Sequence, residues 1–164
     1  MWDHLLVTLD GSDFGEHALP FAKAIASKTG AALHLAHVHA YEPPTDLLQN
    51  TPFQYEGVSM AAYEDRYKGE ERDYLTERAS KVQAELTETK VCSALLEGYV
   101  TEAIERHARE IGAKLIIMTT HGRTGVSRAW LGSVADSLVR HSEFPLLVIR
   151  PLEAGGQEFP TARF

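Results

Sequence analysis

Five short apolar runs, each closed by turn chemistry and separated from the next by a stretch of different periodicity, set the terms on which this chain can fold. Leu5-Leu6-Val7-Thr8-Leu9 ends at Asp10-Gly11-Ser12, and a turn directly after such a run marks a buried strand rather than a helix. Phe14, Ala18, Phe21, Ala22 and Ile25 then recur at helical spacing as far as Lys28-Thr29-Gly30. Asp13 and Glu16 supply a capped start, and Gly30 suits the left-handed residue that closes a helix. Ala31 to His39 predicts a second strand. Tyr41 to Gly57 holds three prolines and no periodicity, which predicts a long surface loop able to act as a lid. A polar helix follows over 60–88, with Leu75, Ala79, Val82 and Leu86 in one apolar stripe and Tyr63, Tyr67 and Tyr74 as packing groups. Val91 to Leu96, Leu115 to Met118 and Leu146 to Ile149 predict the remaining strands, and Thr101 to Ile111 and Val134 to His141 the remaining helices. Five strands alternating with four helices is the pattern of an α/β protein built on an open parallel sheet covered on both faces.

Composition narrows the function. With 164 residues, 44% of them hydrophobic, a single core is expected over 1–150, and Glu153-Ala154-Gly155-Gly156 places a flexible tail over 151–164. The net charge of −7 has the wrong sign for a protein living on nucleic-acid phosphates or anionic lipid. Cys92 is the single cysteine, so it has no disulfide partner; it reads as a small core residue in a reducing, cytoplasmic protein. No apolar run approaches the roughly 20 residues of a membrane helix, and Met1-Trp2-Asp3-His4 does not begin a secretory signal, so no membrane insertion is expected.

In open parallel sheets ligands sit outside the carboxyl ends of the strands, where the strand order reverses. After the fourth strand the sequence runs Thr119-Thr120-His121-Gly122-Arg123-Thr124-Gly125-Val126-Ser127-Arg128-Ala129-Trp130-Leu131-Gly132-Ser133 straight into a helix. Glycines let backbone N–H groups approach phosphate oxygens, and the free N–H groups and dipole of a helix start favour negative charge. Arg123, Arg128 and Arg140 outnumber Asp136 between Thr119 and His141, so the local sign suits phosphate although the whole chain is acidic. The plainer alternative is that Gly122 and Gly125 only turn the loop while Ser133 and Asp136 form a capping box. Asp10, at the end of the first strand, favours the ligand reading, because a carboxylate there can hold a ribose hydroxyl or a base edge.

Other signatures are missing. Neither G-x-x-x-x-G-K-[ST] nor a G-x-G-x-x-G after the first strand occurs, which excludes a P-loop ATPase and a standard dinucleotide fold. His34, His37 and His39 fall on the second strand, but only His37 and His39 share a face and no acidic residue alternates with them, so a metal site is disfavoured. Ser12 is not in G-x-S-x-G, one His121-Gly122 pair does not make an adenylyl-transfer signature, and Trp2 and Trp130 read as packing groups.

In order and spacing these residues resemble the universal stress protein family, from His4 to Arg150. Its nucleotide-binding members carry G-x2-G-x9-G-[ST] after the fourth strand; here Gly122, nine residues and Gly132-Ser133 match, and Thr119 replaces the first glycine. The resemblance implies a Rossmann-like sheet of order 3-2-1-4-5, which makes the first and fourth strands neighbours. It implies that Asp10 and Val38 recognise adenosine and that Met118, Thr119 and His121 line the ribose and phosphate path. Gly122, Gly132, Ser133 and Val134 would then receive the phosphates. It further implies a homodimer through the strand Leu146 to Ile149, consistent with the hazard of an apolar edge strand left unpaired. The expected function is an ATP-binding stress-response regulator, with AMP or ADP as competing ligands and Mg²⁺ held by the phosphates, acting on an unidentified partner protein. No catalytic residue is expected, and hydrolysis is slow at most. The rivals are a stress dimer that binds no nucleotide and a slow ATPase or nucleotidyl-transferring relative.

Overall fold

Each apolar run forms a strand, and the segments between them pack as helices on the two faces of one sheet. The computed structural model describes residues 2–40, 60–120 and 131–150, the side chains of 60–63 excepted. The expected 41–57 lid, His121, Gly122, Gly125, Trp130 and the tail lie outside the described residues. In chain order the elements are β1 (His4–Leu9), α1 (Asp13–Glu16), α2 (Leu19–Thr29), β2 (Ala32–His39), α3 (Met60–Glu85), β3 (Val91–Glu97), α4 (Val100–Ile111), β4 (Leu115–Thr119), α5 (Ser133–His141) and β5 (Leu146–Ile149).

The strands lie in the order β3-β2-β1-β4-β5, all parallel, as expected. Because successive side chains of a strand point to opposite faces, the apolar runs feed two cores at once. Leu5, Val7, Leu33, Leu35 and Ile117 pack with Ala22 and Ala26 of α2 and Leu75 and Val82 of α3 on one face. Leu6, Ala36, Ile116 and Met118 pack with Ile104 and Ala108 of α4 and Ala135 and Leu138 of α5 on the other. The stripe expected on α3 is the one that is buried. Among the described residues no helix is long and apolar enough to cross a membrane.

Three expectations need correction. The single first helix is two, α1 and α2, broken over His17 and Ala18. Pro20, in the first turn of α2, has no N–H, and its ring would clash with the carbonyl four residues back, so a continuous helix is blocked. The break also turns the helical face: Phe14 and Phe21 remain 39% and 37% exposed, while Ala18, Leu19 and Ala22 are buried. Second, the N-cap of α1 is Ser12 rather than Asp13. Third, Cys92 is only partly buried; it lies on β3, an edge strand with one neighbour.

Candidate functional site

Strand numbers rise from β1 to β3 on one side of the sheet and from β4 to β5 on the other, so the order reverses between β1 and β4. Their ladder pairs Leu5–Val7 with Leu115–Ile117, yet β1 continues to Leu9 and β4 to Thr119. The strands therefore part at their carboxyl ends, which is where such sheets offer a ligand crevice.

Asp10 follows β1 directly. Its Oδ1 accepts from the Ser12 backbone N–H at 3.1 Å and from the Ser12 hydroxyl at 2.7 Å. Ser12 Oγ in turn accepts from the Gly15 N–H at 3.1 Å, so the carboxylate is oriented through the cap of α1. Asp10 Oδ2 is buried and has no hydrogen-bond partner among the described residues. A buried acceptor in that state loses its hydration without replacement, so the geometry presents one oriented oxygen to whatever donor enters.

Across the reversal, the Gly132 N–H donates to the Thr120 carbonyl at 2.6 Å and the Thr120 N–H to the Ile149 carbonyl at 2.8 Å. The loop between β4 and α5 thus leaves and returns at one point on the sheet. Gly132 is the N-cap of α5 and makes no side-chain cap bond. The first bond of that helix runs from Asp136 N to Gly132 O, so the N–H groups of Ser133, Val134 and Ala135 ahead of it have no acceptor within the helix. The capping-box alternative is not what forms: Asp136 instead pairs with Arg140 at 2.9 Å, which holds its carboxyl below the usual range through that hydrogen bond, and the Ser133 hydroxyl is exposed.

Val38, Met118 and Thr119 reach the same edge of the sheet. Val38 lies one position past the last β2 residue that pairs with β1, His37, while still pairing with Leu96 of β3. Met118 is buried in the core beneath α4 and α5, so it can offer a ligand little more than its backbone and the tip of its side chain. Thr119 ends β4 opposite Ile149, nearly buried.

Two features escaped the sequence reading. Gly15 is required by contact: a Cβ there would lie 2.3 Å from Asp10 Oδ1. The spacing Ser12-x-x-Gly15 after a strand-ending aspartate was its only visible trace. The second feature is Glu71 of α3, whose two oxygens meet His37 Nε2 at 3.2 Å and His39 Nδ1 at 2.7 Å. It is the acidic partner that alternation along β2 could not reveal, since it arrives from another element. Beside it a cavity of about 160 Å³ is lined by Gly11, His37, Tyr67, Glu70, Glu71 and Tyr74; Tyr67, expected to pack, is 40% exposed. Among the described residues no group of three or more His, Cys, Asp or Glu is arranged to hold a metal ion.

Comparison with known proteins gives a consistent result. The universal stress protein family model matches residues 1–150. The universal stress protein in the QAH/OAS sulfhydrylase 3′ region of Thermus aquaticus is 36% identical over 154 residues, covering 92% of this chain and 100% of that one. A universal stress protein family member from Burkholderia pseudomallei, solved by crystallography, is 31% identical, with a TM-score of 0.63 over 90% of this chain and 96% of its own. A family protein from Arabidopsis thaliana solved with AMP bound shares the fold at 15% identity, with a TM-score of 0.62 over 92% and 93% of the two chains.

Proposed function

The chain belongs to the universal stress protein family, and on that premise we propose that it is a regulatory protein that holds ATP, with AMP and ADP as competitors, in the crevice between the ends of β1 and β4. The observation that carries this reading is Asp10 Oδ2, buried where the two strands part and without a partner among the described residues. A ribose hydroxyl or a base N–H supplies the donor that this oxygen lacks. The backbone of Val38, past the end of its pairing with β1, is placed for the base edge, with Met118 and Thr119 beneath the sugar. The open first turn of α5 at Gly132, Ser133 and Val134 suits phosphate oxygens through its free N–H groups and its dipole. His121 and Gly122 complete the phosphate path in this reading. The AMP bound to the Arabidopsis protein of the same fold supports a nucleotide as the ligand class. Mg²⁺ would arrive with the phosphates, where it neutralises charge while needing few protein ligands.

Occupancy rather than turnover is the signal in this proposal: nucleotide orders the segment between β4 and α5 and presents a surface to a partner protein, with hydrolysis slow at most. The protein acts as a homodimer in which β5, an edge strand, pairs antiparallel with its copy. One observation favours a second reading, a dimer that binds no nucleotide: the nearly buried Thr119 side chain stands where the family pattern has glycine.

The test is to purify the protein without added nucleotide, identify any released small molecule by mass spectrometry, and titrate the stripped protein with ATP in a calorimeter. Asp10→Ala and Gly132→Val should each weaken binding about tenfold or more, the scale of one lost charge-assisted hydrogen bond. Unchanged affinity in both would remove the site, and no binding at all would leave the second reading.

A further inference from the structure

The turn that carries Asp10 is not rigid by itself. It requires Gly15, where a Cβ would strike the carboxylate, and Gly11, whose φ of 80° lies in the left-handed region. Two glycines in one turn leave the backbone much freedom to lose. The α1 helix that follows has four residues, too few to be stable through its own hydrogen bonds. Ser12 fastens its start to Asp10. What fastens its end comes from α3.

Glu16, the last residue of α1, reaches across to that helix. Its Oε1 accepts from Arg78 Nε at 2.6 Å and from the Tyr74 hydroxyl at 3.2 Å. The Arg78 and Glu16 side chains are 22% and 25% exposed, so solvent and salt screen this pair less than one on the open surface. The guanidinium also lies over the Tyr74 ring, 5.3 Å from its centroid, and the attraction between cation and ring keeps the two donors together. Burial first and then the Glu16 charge push the Tyr74 phenol up, which keeps its proton available to the carboxylate. Leu75 and Val82 anchor α3 in the core, and Tyr74 lines the same cavity as Gly11. The anchored helix is therefore the support, and the Asp10 turn is what it holds.

We propose that Glu16, gripped by Tyr74 and Arg78, is a positioning residue for Asp10, and that α3 thereby regulates how well the crevice holds its nucleotide. The link to nucleotide rests on the reading above; the bracing of the Asp10 turn does not. The line of contacts is short: α3 to Glu16, Glu16 through α1 to Ser12 and Gly15, and these two to Asp10 Oδ1. With the grip released, the turn samples arrangements in which the carboxylate no longer faces the ligand, and affinity falls in proportion to the competent fraction. A second bridge provides the contrast. Lys23 of α2 binds Glu85 of α3 at 2.5 Å, so it ties α3 to the neighbouring helix on the same face of the sheet without passing through the Asp10 turn.

Glu16→Ala releases the grip from the α1 side and Arg78→Met from the α3 side, and alanine costs α1 nothing in helix propensity. Lys23→Met is the control for a general loosening of α3. In each protein two quantities would be measured: ATP affinity by calorimetry, and hydrogen exchange of the Ser12 and Gly15 amides, which donate to Asp10 and Ser12. Glu16→Ala would also be made on Asp10→Ala. Glu16→Ala and Arg78→Met should each weaken ATP binding about three- to tenfold and speed exchange of both amides, while Lys23→Met leaves affinity within about twofold and exchange unchanged. On Asp10→Ala, adding Glu16→Ala should change affinity less than about twofold, because the carboxylate it acts through is already gone. Wild-type affinity or wild-type exchange in both grip variants, an equal loss in Lys23→Met, or the same further loss on Asp10→Ala overturns the proposal. If the wild type does not bind ATP, the nucleotide reading falls and exchange alone decides the bracing. Faster exchange in the two grip variants and not in Lys23→Met then upholds it, and any other pattern overturns it.

Discussion

Acid should destabilise this protein through one imidazole far from the proposed crevice. His34 lies at the amino-terminal half of β2, its Nε2 3.1 Å from His4 Nδ1, with the His107 ring edge-on at 6.5 Å. Burial first, then the His4, His107 and Lys90 charges, lower its pKa from 6.5 to about 4. The unfolded chain thus binds a proton at this ring more readily than the folded one. The stability that His34 contributes by staying neutral is complete above pH 6.5 and is lost as pH falls from there to about 4. At about 1.4 kcal/mol per pH unit the full interval is worth roughly 3 kcal/mol. Between about pH 7.5 and about pH 4.5, with solvent screening part of the effect at the incompletely buried ring, about 2 kcal/mol is expected. His34→Gln keeps a hydrogen-bonding group toward His4 and removes the titration. Urea unfolding of both proteins at the two pH values isolates the term, because the other seven histidines are common to both. The wild type should lose about 2 kcal/mol more than the variant, or about 4–8 °C in Tm for a domain of this size. Equal losses would refute the reasoning.

Two further outcomes are expected. Gly15→Ala should weaken ATP binding about tenfold or more while changing stability far less than a core truncation, because its Cβ would displace the Asp10 carboxylate; calorimetry beside thermal melting checks both halves. Val148→Lys should convert a dimer to monomer in sedimentation experiments with an unchanged circular dichroism spectrum, since it sets like charges across a two-fold strand pair.

β1 and β4 were legible because each is an apolar run with little interruption, the form a strand takes when both faces are buried. Even the less obvious β5 was found, from Pro145 and four apolar residues. Strand order was different in kind: no periodicity encodes which strands are neighbours, and only the family resemblance supplied 3-2-1-4-5. Periodicity also overran the break at Pro20, because the spacing of Phe14, Ala18 and Phe21 continues in register across it while the chain does not. At the site, Asp10 and Gly132 could be singled out by their positions at a strand end and before a helix, whereas Val38 and the role of Thr119 came only from the family resemblance. What could not be read were relations made by the fold itself: the Gly15 contact with Asp10, the Asp10 oxygen left without a donor among the described residues, and the approach of Glu71 to two histidines more than thirty residues earlier in the chain. Residue identity gives the chemistry available, but packing decides which groups are left unsatisfied.

The bond from Gly132 N to Thr120 O has an evolutionary reach of its own. With both ends of the intervening segment pinned to the sheet, a change in its length alters little besides loop closure, where doubling the number of residues costs only about 0.6 kcal/mol. The sheet therefore tolerates insertions and deletions between these two residues, and any limit on the length of the segment comes from the ligand that the Gly122-to-Gly132 spacing would serve. A relative that gave up the nucleotide would be free to change that length and address a different partner from the same sheet.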